Sequence, residues 1–264
     1  GLQLVMWGVF KKLVIADRLG IFVNEIYGNT HQYSGPILLL AGLFYTVQLY
    51  ADFSGYMDMA LGISEMLGFN LFRNFNKPFA STSVTDFWKR WHISLSTWLY
   101  EYIFNPISLL KRDWGLWGMG YAIFITFLLS GLWHGASWIF ILWGVINGIA
   151  LGYEVVTSKW RKKVFKDFSK STAKRVSIFI TFIFTVLSFT FARCNSLDDV
   201  AYIFSHIFDF SVVSGIYSTG INRIDFWLGI SGILLLIGLH WWPQTTDWRK
   251  IILGLPAGYR WTIY

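Results

Sequence analysis

The sequence predicts an all-α, polytopic integral membrane protein, a single membrane-embedded domain over residues 1–264. Three observations predict it. The chain is 55% hydrophobic and only 14% charged, against about 25% charged in soluble domains. Residues 114–153 hold no Asp, Glu, Lys or Arg. The whole formal excess of +7 falls in one short loop between two apolar stretches. A disordered chain, a disulfide scaffold and an ordinary soluble enzyme are excluded, and the lone Cys194 forms no internal disulfide.

The elements follow in order. Lys11, Lys12 and Arg18 interrupt the apolar run 4–23, which fits an interfacial amphipathic helix or a tilted span. A span over 36–51 continues into a segment carrying Asp52, Asp58 and Glu65. Ser54-Gly55, Asn76-Lys77-Pro78 and Asn105-Pro106 read as turn signals. The uncharged stretch 114–153 has 40 residues, about 60 Å of helix at 1.5 Å per residue. A hydrocarbon core is roughly 30 Å thick, so the stretch crosses twice. The break falls at Ser130-Gly131-Leu132-Trp133-His134-Gly135-Ala136-Ser137. Two further spans cover 176–192 and 226–242. Asp52 and Asp58 are out of place on a span and read as structural pairing partners.

Lys159, Arg161, Lys162, Lys163, Lys166, Lys170, Lys174 and Arg175 stand against one acid, Asp167. A pI near 9.4 could suggest nucleic acid. Confinement of the charge to one loop favours the positive-inside rule instead, which puts that loop in the cytoplasm and assigns no nucleic-acid partner. Lys111 and Arg112 then lie inside, and the 114–153 hairpin turns near the outer side at His134. The loop after 192 carries Arg193 and Arg223 against Asp198, Asp199, Asp209 and Asp225 and lies outside. The last span returns to Arg249, Lys250 and Arg260. The chain begins at Gly1 rather than Met and reads as a fragment lacking its N-terminal part.

His134 stands out among five histidines. It has 20 uncharged residues before it in its stretch and 19 after it. A titratable side chain at that depth marks a functional site by default. A neutral imidazole can take a proton, which suits a general base. Its alternative role is a hydrogen bond to a neighbouring helix. His92 lies in Thr85-Asp86-Phe87-Trp88-Lys89-Arg90-Trp91-His92-Ile93-Ser94-Leu95-Ser96-Thr97-Trp98. This mixture fits a helix lining a wet cavity or entering the membrane partway, or an interfacial helix with snorkelling Lys89 and Arg90. His31, His206 and His240 read as ordinary loop or interface residues. No HExxH, CxxC or HxxxH spacing suggests a metal, and no Gly-rich phosphate loop is present. Ser130, one turn before His134, offers a Ser nucleophile with a His base, without a GxSxG elbow.

Several ordered motifs now carry a resemblance. The segment Asp86 to Trp98, with His92 inside it, resembles a signature of the membrane-bound O-acyltransferases, in the bacterial branch containing alginate O-acetyltransferase. Gly131-Leu132-Trp133-His134-Gly135-Ala136 resembles a second signature, which holds the family's histidine. Residues 50–60 resemble "DFSGYSDMA", with Met57 where Ser is common. Residues 1–17 resemble "WGLFKK…IAD", and Phe191-Ala192-Arg193-Cys194-Asn195-Ser196-Leu197 resembles "FFRANSL". After His92 the chain departs from "RDYLYIPLGG": residues 100–109 lack the Arg and the Gly pair.

The resemblance implies a multi-helix fold with a central tunnel, the catalytic base at His134 and a second active-site residue at His92. It implies transfer of an acyl group, acetyl in this branch, from a thioester donor such as acetyl-CoA or an acyl carrier, with no bound cofactor and no metal. The acceptor is an exported polysaccharide, reached through a periplasmic or extracellular acyltransferase partner. The location is the bacterial cytoplasmic (inner) membrane, with the lipid bilayer as surroundings. Two alternatives are D-alanyl transfer to teichoic acid from a carrier protein, and a non-catalytic transporter using the histidines as a proton path.

Overall fold

The computed structural model describes residues 1–164, 169–209, 222–241, 254–256 and 258. Lys166, Asp167, Trp242, Arg249, Lys250 and Arg260 lie outside them, so the charge clusters at these positions are not described. Helices α1 (Leu2–Phe10) and α2 (Asp17–Gly28) are joined by a π-helical segment, Lys11–Ala16. Next comes α3 (Gly35–Met66), then two short helices, α4 (Val84–Trp88) and α5 (Ile93–Leu99). A π turn at Tyr100–Phe104 leads into α6 (Asn105–Leu110). Then follow α7 (Leu116–His134), α8 (Trp138–Val156), α9 (Ser158–Val164), α10 (Lys170–Arg193), α11 (Leu197–His206) and α12 (Arg223–Trp241). No strand occurs among the described residues.

Four helices, α3, α7, α8 and α10, are long and apolar enough to cross a membrane. The 114–153 stretch folds as the predicted hairpin. Its helices break only at residues 135–137, where Ser137 caps α8 by accepting the Ile139 N–H at 3.3 Å. The two helices pack backbone to backbone. A Cβ on Gly131 would strike the Phe140 carbonyl, and one on Gly144 would strike that of Phe127. In lipid, where apolar burial gives helices no preference for each other, such close van der Waals contact supplies the association. The predicted span 226–242 is helical as far as Trp241.

Two turn signals are corrected. Ser54-Gly55 sits inside α3, not at a turn. Gly55 is small because the Gly8 carbonyl would lie 2.8 Å from a Cβ there. Asn105-Pro106 opens α6 directly from the preceding π turn. Proline is tolerated at a helix start because the N–H it lacks would be unpaired there anyway. The third signal holds: Lys77 adopts a left-handed conformation (φ 47°) ahead of Pro78.

The wide π turn at Lys11–Ala16 presents both lysines to α3. Lys11 Nζ lies 2.5 Å from Asp58 and 3.0 Å from Ser54 Oγ. Lys12 Nζ lies 2.7 Å from Asp52 and 3.0 Å from Asp17. Asp52 and Asp58 are thus pairing residues, as expected from the sequence. The pairs differ in energy. The Lys11 side chain is 6% exposed and that of Asp58 21%, whereas Lys12 and Asp52 are 41% and 48% exposed. Removing one partner of a buried pair leaves an uncompensated charge. Exposed pairs contribute little.

Asp58→Asn is therefore expected to cost about 3 kcal/mol and lower the thermal midpoint of the detergent-solubilised protein by several degrees. Asp52→Asn should leave the midpoint nearly unchanged. Equal effects of the two substitutions would contradict this account.

Candidate active site

The first site residue arises at the break between α4 and α5. Ser83 caps α4 by accepting the Asp86 N–H at 3.0 Å, and Arg90 closes the turn on Asp86 at 2.8 Å. Glu154 of α8 accepts the N–H groups of Val84 and Thr85, each at 2.9 Å, and the Thr85 hydroxyl at 2.7 Å. Trp91 then plunges into an aromatic cage. Its ring stacks on Phe87 at 5.5 Å and meets Phe75 and Phe189 at 5.0 and 5.1 Å. Aromatic pairs contribute roughly 0.5–1.5 kcal/mol each beyond area burial, so this cage fixes the residue before His92.

His92 is left-handed (φ 47°, ψ 55°), a conformation shared among non-glycine described residues only by Lys77. Its Nδ1 accepts the Leu95 N–H at 3.3 Å and so caps α5. A ring nitrogen that accepts is unprotonated. The neutral ring therefore carries its hydrogen on Nε2 and presents a donor there. Phe53 of α3 packs on the same ring at 4.8 Å.

His134 is the last residue of α7. It is exposed, not enclosed in mid-span. Its ring is flanked by Trp133 at 4.9 Å, Phe140 at 6.2 Å and Trp143 at 5.1 Å, the last edge-on at 89°. Trp143 is buried, and its indole N–H has no hydrogen-bond partner among the described residues. His92 lies within electrostatic reach of His134. Two residues 42 positions apart in sequence are thus brought near each other.

Between the two histidine-bearing segments lies an apolar cleft of about 330 Å³. Leu95, Trp98, Leu99 and Ile103 form one wall, and Leu129, Ser130 and Trp133 the other. One wall follows His92 along α5, and the other leads up to His134 along α7. Asn147 of α8 ties the frame together. It accepts the Trp88 indole N–H at 3.3 Å and donates to the Trp143 carbonyl at 2.9 Å and to Ser188 Oγ at 3.0 Å. It is 1% exposed. Three segments, α4, α8 and α10, meet at this one amide.

The other histidines sit elsewhere. His31 pairs with Asp198 and Asp199 at 3.3 and 3.4 Å and packs on Tyr202. His206 stacks on the same tyrosine at 4.1 Å. The side chain of His240 lies outside the described residues. No group of three His, Cys, Asp or Glu able to hold a metal ion occurs among the described residues. Sequence reasoning did not single out Asn74, Trp143 or Asn147. Of these only Asn147 carried a signal, as an amide in the middle of an uncharged span.

Comparison with known proteins places these residues in context. The profile of the membrane-bound O-acyltransferase family matches residues 2–197. The chain is 38% identical over 205 residues to a probable alginate O-acetylase of Pseudomonas putida, covering 78% of this chain and 40% of that protein. It is 36% identical over 205 residues to a peptidoglycan O-acetyltransferase of Helicobacter pylori, covering 75% and 36%. It is 32% identical over 198 residues to a teichoic acid D-alanyltransferase of Bacillus subtilis, covering 72% and 49%. The chain thus matches less than half the length of each of these relatives.

Burial holds the His92 imidazole below its usual 6.5, and the neutral ring is the form that caps α5. As pH falls through 6.5 the unfolded chain takes up the proton first. Stability is then fully kept above that pH and eroded below it. His92→Asn, which can cap without titrating, should flatten the fall in thermal midpoint between about pH 7 and pH 5. An unchanged slope would show that this histidine does not carry the acid sensitivity.

Proposed function

The chain belongs to the membrane-bound O-acyltransferase family, and on that premise we propose that its two histidines transfer an acetyl group from a thioester donor towards the hydroxyls of an exported polysaccharide. The observation that carries the reading is that His92 lies within electrostatic reach of His134, with an apolar cleft between the segments that bear them. His134 removes the proton of the acceptor hydroxyl. The hydroxyl oxygen bonds to the acyl carbon, the carbon–sulfur bond breaks, and the proton passes on to the departing thiolate. General-base help of this kind contributes about 10²–10⁴-fold. His92, with its hydrogen on Nε2, donates to the oxygen on which charge develops. The apolar cleft accepts the acyl portion and keeps bulk water from the thioester.

The charge pattern supports a direction. The basic segment 159–175 faces the cytoplasm, the side from which acetyl-CoA or an acyl carrier arrives. His134, at the far end of α7, faces the outer side. In this reading the protein is a multi-pass component of a bacterial cytoplasmic membrane. A periplasmic or extracellular acyltransferase receives the group there and hands it to the polysaccharide. The higher identity to alginate and peptidoglycan O-acetylating relatives favours acetyl. The 32% identity to a teichoic acid D-alanyltransferase supports D-alanyl as the second reading. A proton path in a transporter would not need an apolar cleft between the segments that bear the two histidines.

The test is the O-acetyl content of exported polysaccharide in cells carrying the full-length gene. His134→Ala, at the membrane abundance of the wild type, should lower it by at least about 100-fold. Unchanged acetylation would remove His134 from the chemistry, and D-alanyl esters lost in its place would favour the second reading.

A further inference from the structure

Helix α5 begins next to His92, and its first N–H groups have no partner within the helix. Each finds one elsewhere. The N–H of Ile93 donates to the backbone carbonyl of Asn74 at 3.0 Å. The N–H of Ser94 donates to Asn74 Oδ1 at 2.8 Å. The N–H of Leu95 donates to His92 Nδ1 at 3.3 Å. One asparagine, 18 residues upstream of His92, therefore holds the first two N–H groups and leaves the third for the imidazole. Asn76 grips the other side of the turn, its N–H donating to the Arg90 carbonyl at 3.0 Å.

Asn74 is itself placed without freedom. It is 6% exposed, and its Nδ2 donates to Met57 Sδ of α3 at 3.5 Å. The neighbouring Phe75 packs on Phe53, which packs on His92. The left-handed backbone of His92 is costly for a residue with a Cβ, and it persists only where neighbours over-determine it. Here they do so through Asn74. If the N–H groups of Ile93 and Ser94 lost these acceptors, α5 could start elsewhere and the imidazole would have no reason to cap.

We propose that Asn74 is a positioning residue for His92: by accepting the first two N–H groups of α5 it holds the imidazole in its capping pose, with Nδ1 engaged and Nε2–H aimed out as a donor. The inference rests on the role given to His92 above. It adds a residue, and it fixes which nitrogen of the ring is used. His92 is then a donor by construction and cannot serve as the proton acceptor from Nδ1, which leaves that task to His134.

The experiment uses the full-length protein in lipid nanodiscs, labelled with ¹⁵N-histidine, with His92→Ala assigning the signal. In the wild type the His92 ring should show its hydrogen fixed on Nε2. Asn74→Ala should give exchange between the two tautomers, and polysaccharide acetylation should fall by about ten- to a hundredfold at equal membrane abundance. Asn74→Asp keeps an acceptor for the Ser94 N–H and should restore both the tautomer and most of the acetylation. A His92 tautomer unchanged in Asn74→Ala would overturn the proposal. So would an Asp variant that fails as badly as Ala in both readouts. A tautomer that responds to Asn74 in a protein that acetylates nothing would sink the acetyl-transfer reading and leave the positioning role standing.

Discussion

A helix that breaks inside a membrane protein exposes N–H and C=O groups that hydrocarbon cannot satisfy. The way this chain satisfies them at two breaks decides where its two candidate histidines stand. At the first, between α4 and α5, Asn74 and the His92 ring take the three leading N–H groups of α5. At the second, between α7 and α8, Ser137 caps α8, and His134 ends the helix before it. In each case the histidine belongs to the break itself. One serves as a cap, and the other is carried on a helix end where its ring is open to a reactant.

Two breaks make one site only if they are held in register. Asn147 does this with a single amide, joining the indole of Trp88 on α4, the backbone of α8 beside Trp143, and Ser188 on α10. Glu154 adds a second tie at the other end of α8 by capping α4. The tight α7–α8 contact through Gly131 and Gly144 sets the angle at which His134 emerges. The division of labour proposed for the histidines rests on the same contacts. The Nδ1 of His92 is engaged by a backbone N–H, so its free edge donates. The ring of His134 is flanked by Trp133, Phe140 and Trp143, and the proposed role asks its free nitrogen to accept.

Much of this was legible in the sequence. An uncharged stretch twice the thickness of a hydrocarbon core has to be a hairpin, and Gly-rich residues around His134 marked its break within a few positions. The pairing of Asp52 and Asp58 was readable because isolated carboxylates on a span need partners. Ser54-Gly55 was misread because a glycine that opens a turn and a glycine that admits a neighbouring backbone look alike in one dimension. Asn105-Pro106 misled for a similar reason, since proline ends one element and starts another with equal ease. The role of Asn74 was invisible. It acts on backbone N–H groups about 20 residues further along the chain, and no periodicity or spacing announces an acceptor for main-chain donors. The burial of the Trp143 indole N–H without a partner among the described residues was equally hidden, because it depends on packing alone.

In the proposed mechanism the two histidines are not interchangeable: His134 accepts a proton and His92 donates a hydrogen bond. The most direct measurement is acetyl transfer by the full-length protein carrying His92→Asn or His134→Asn, compared at equal membrane abundance. Asparagine tolerates the left-handed backbone, can cap a helix and can donate, but it cannot act as a base. A modest reduction is expected with His92→Asn, and a loss of at least about 100-fold with His134→Asn. Equal loss in both, or transfer surviving only in His134→Asn, would contradict the proposed mechanism.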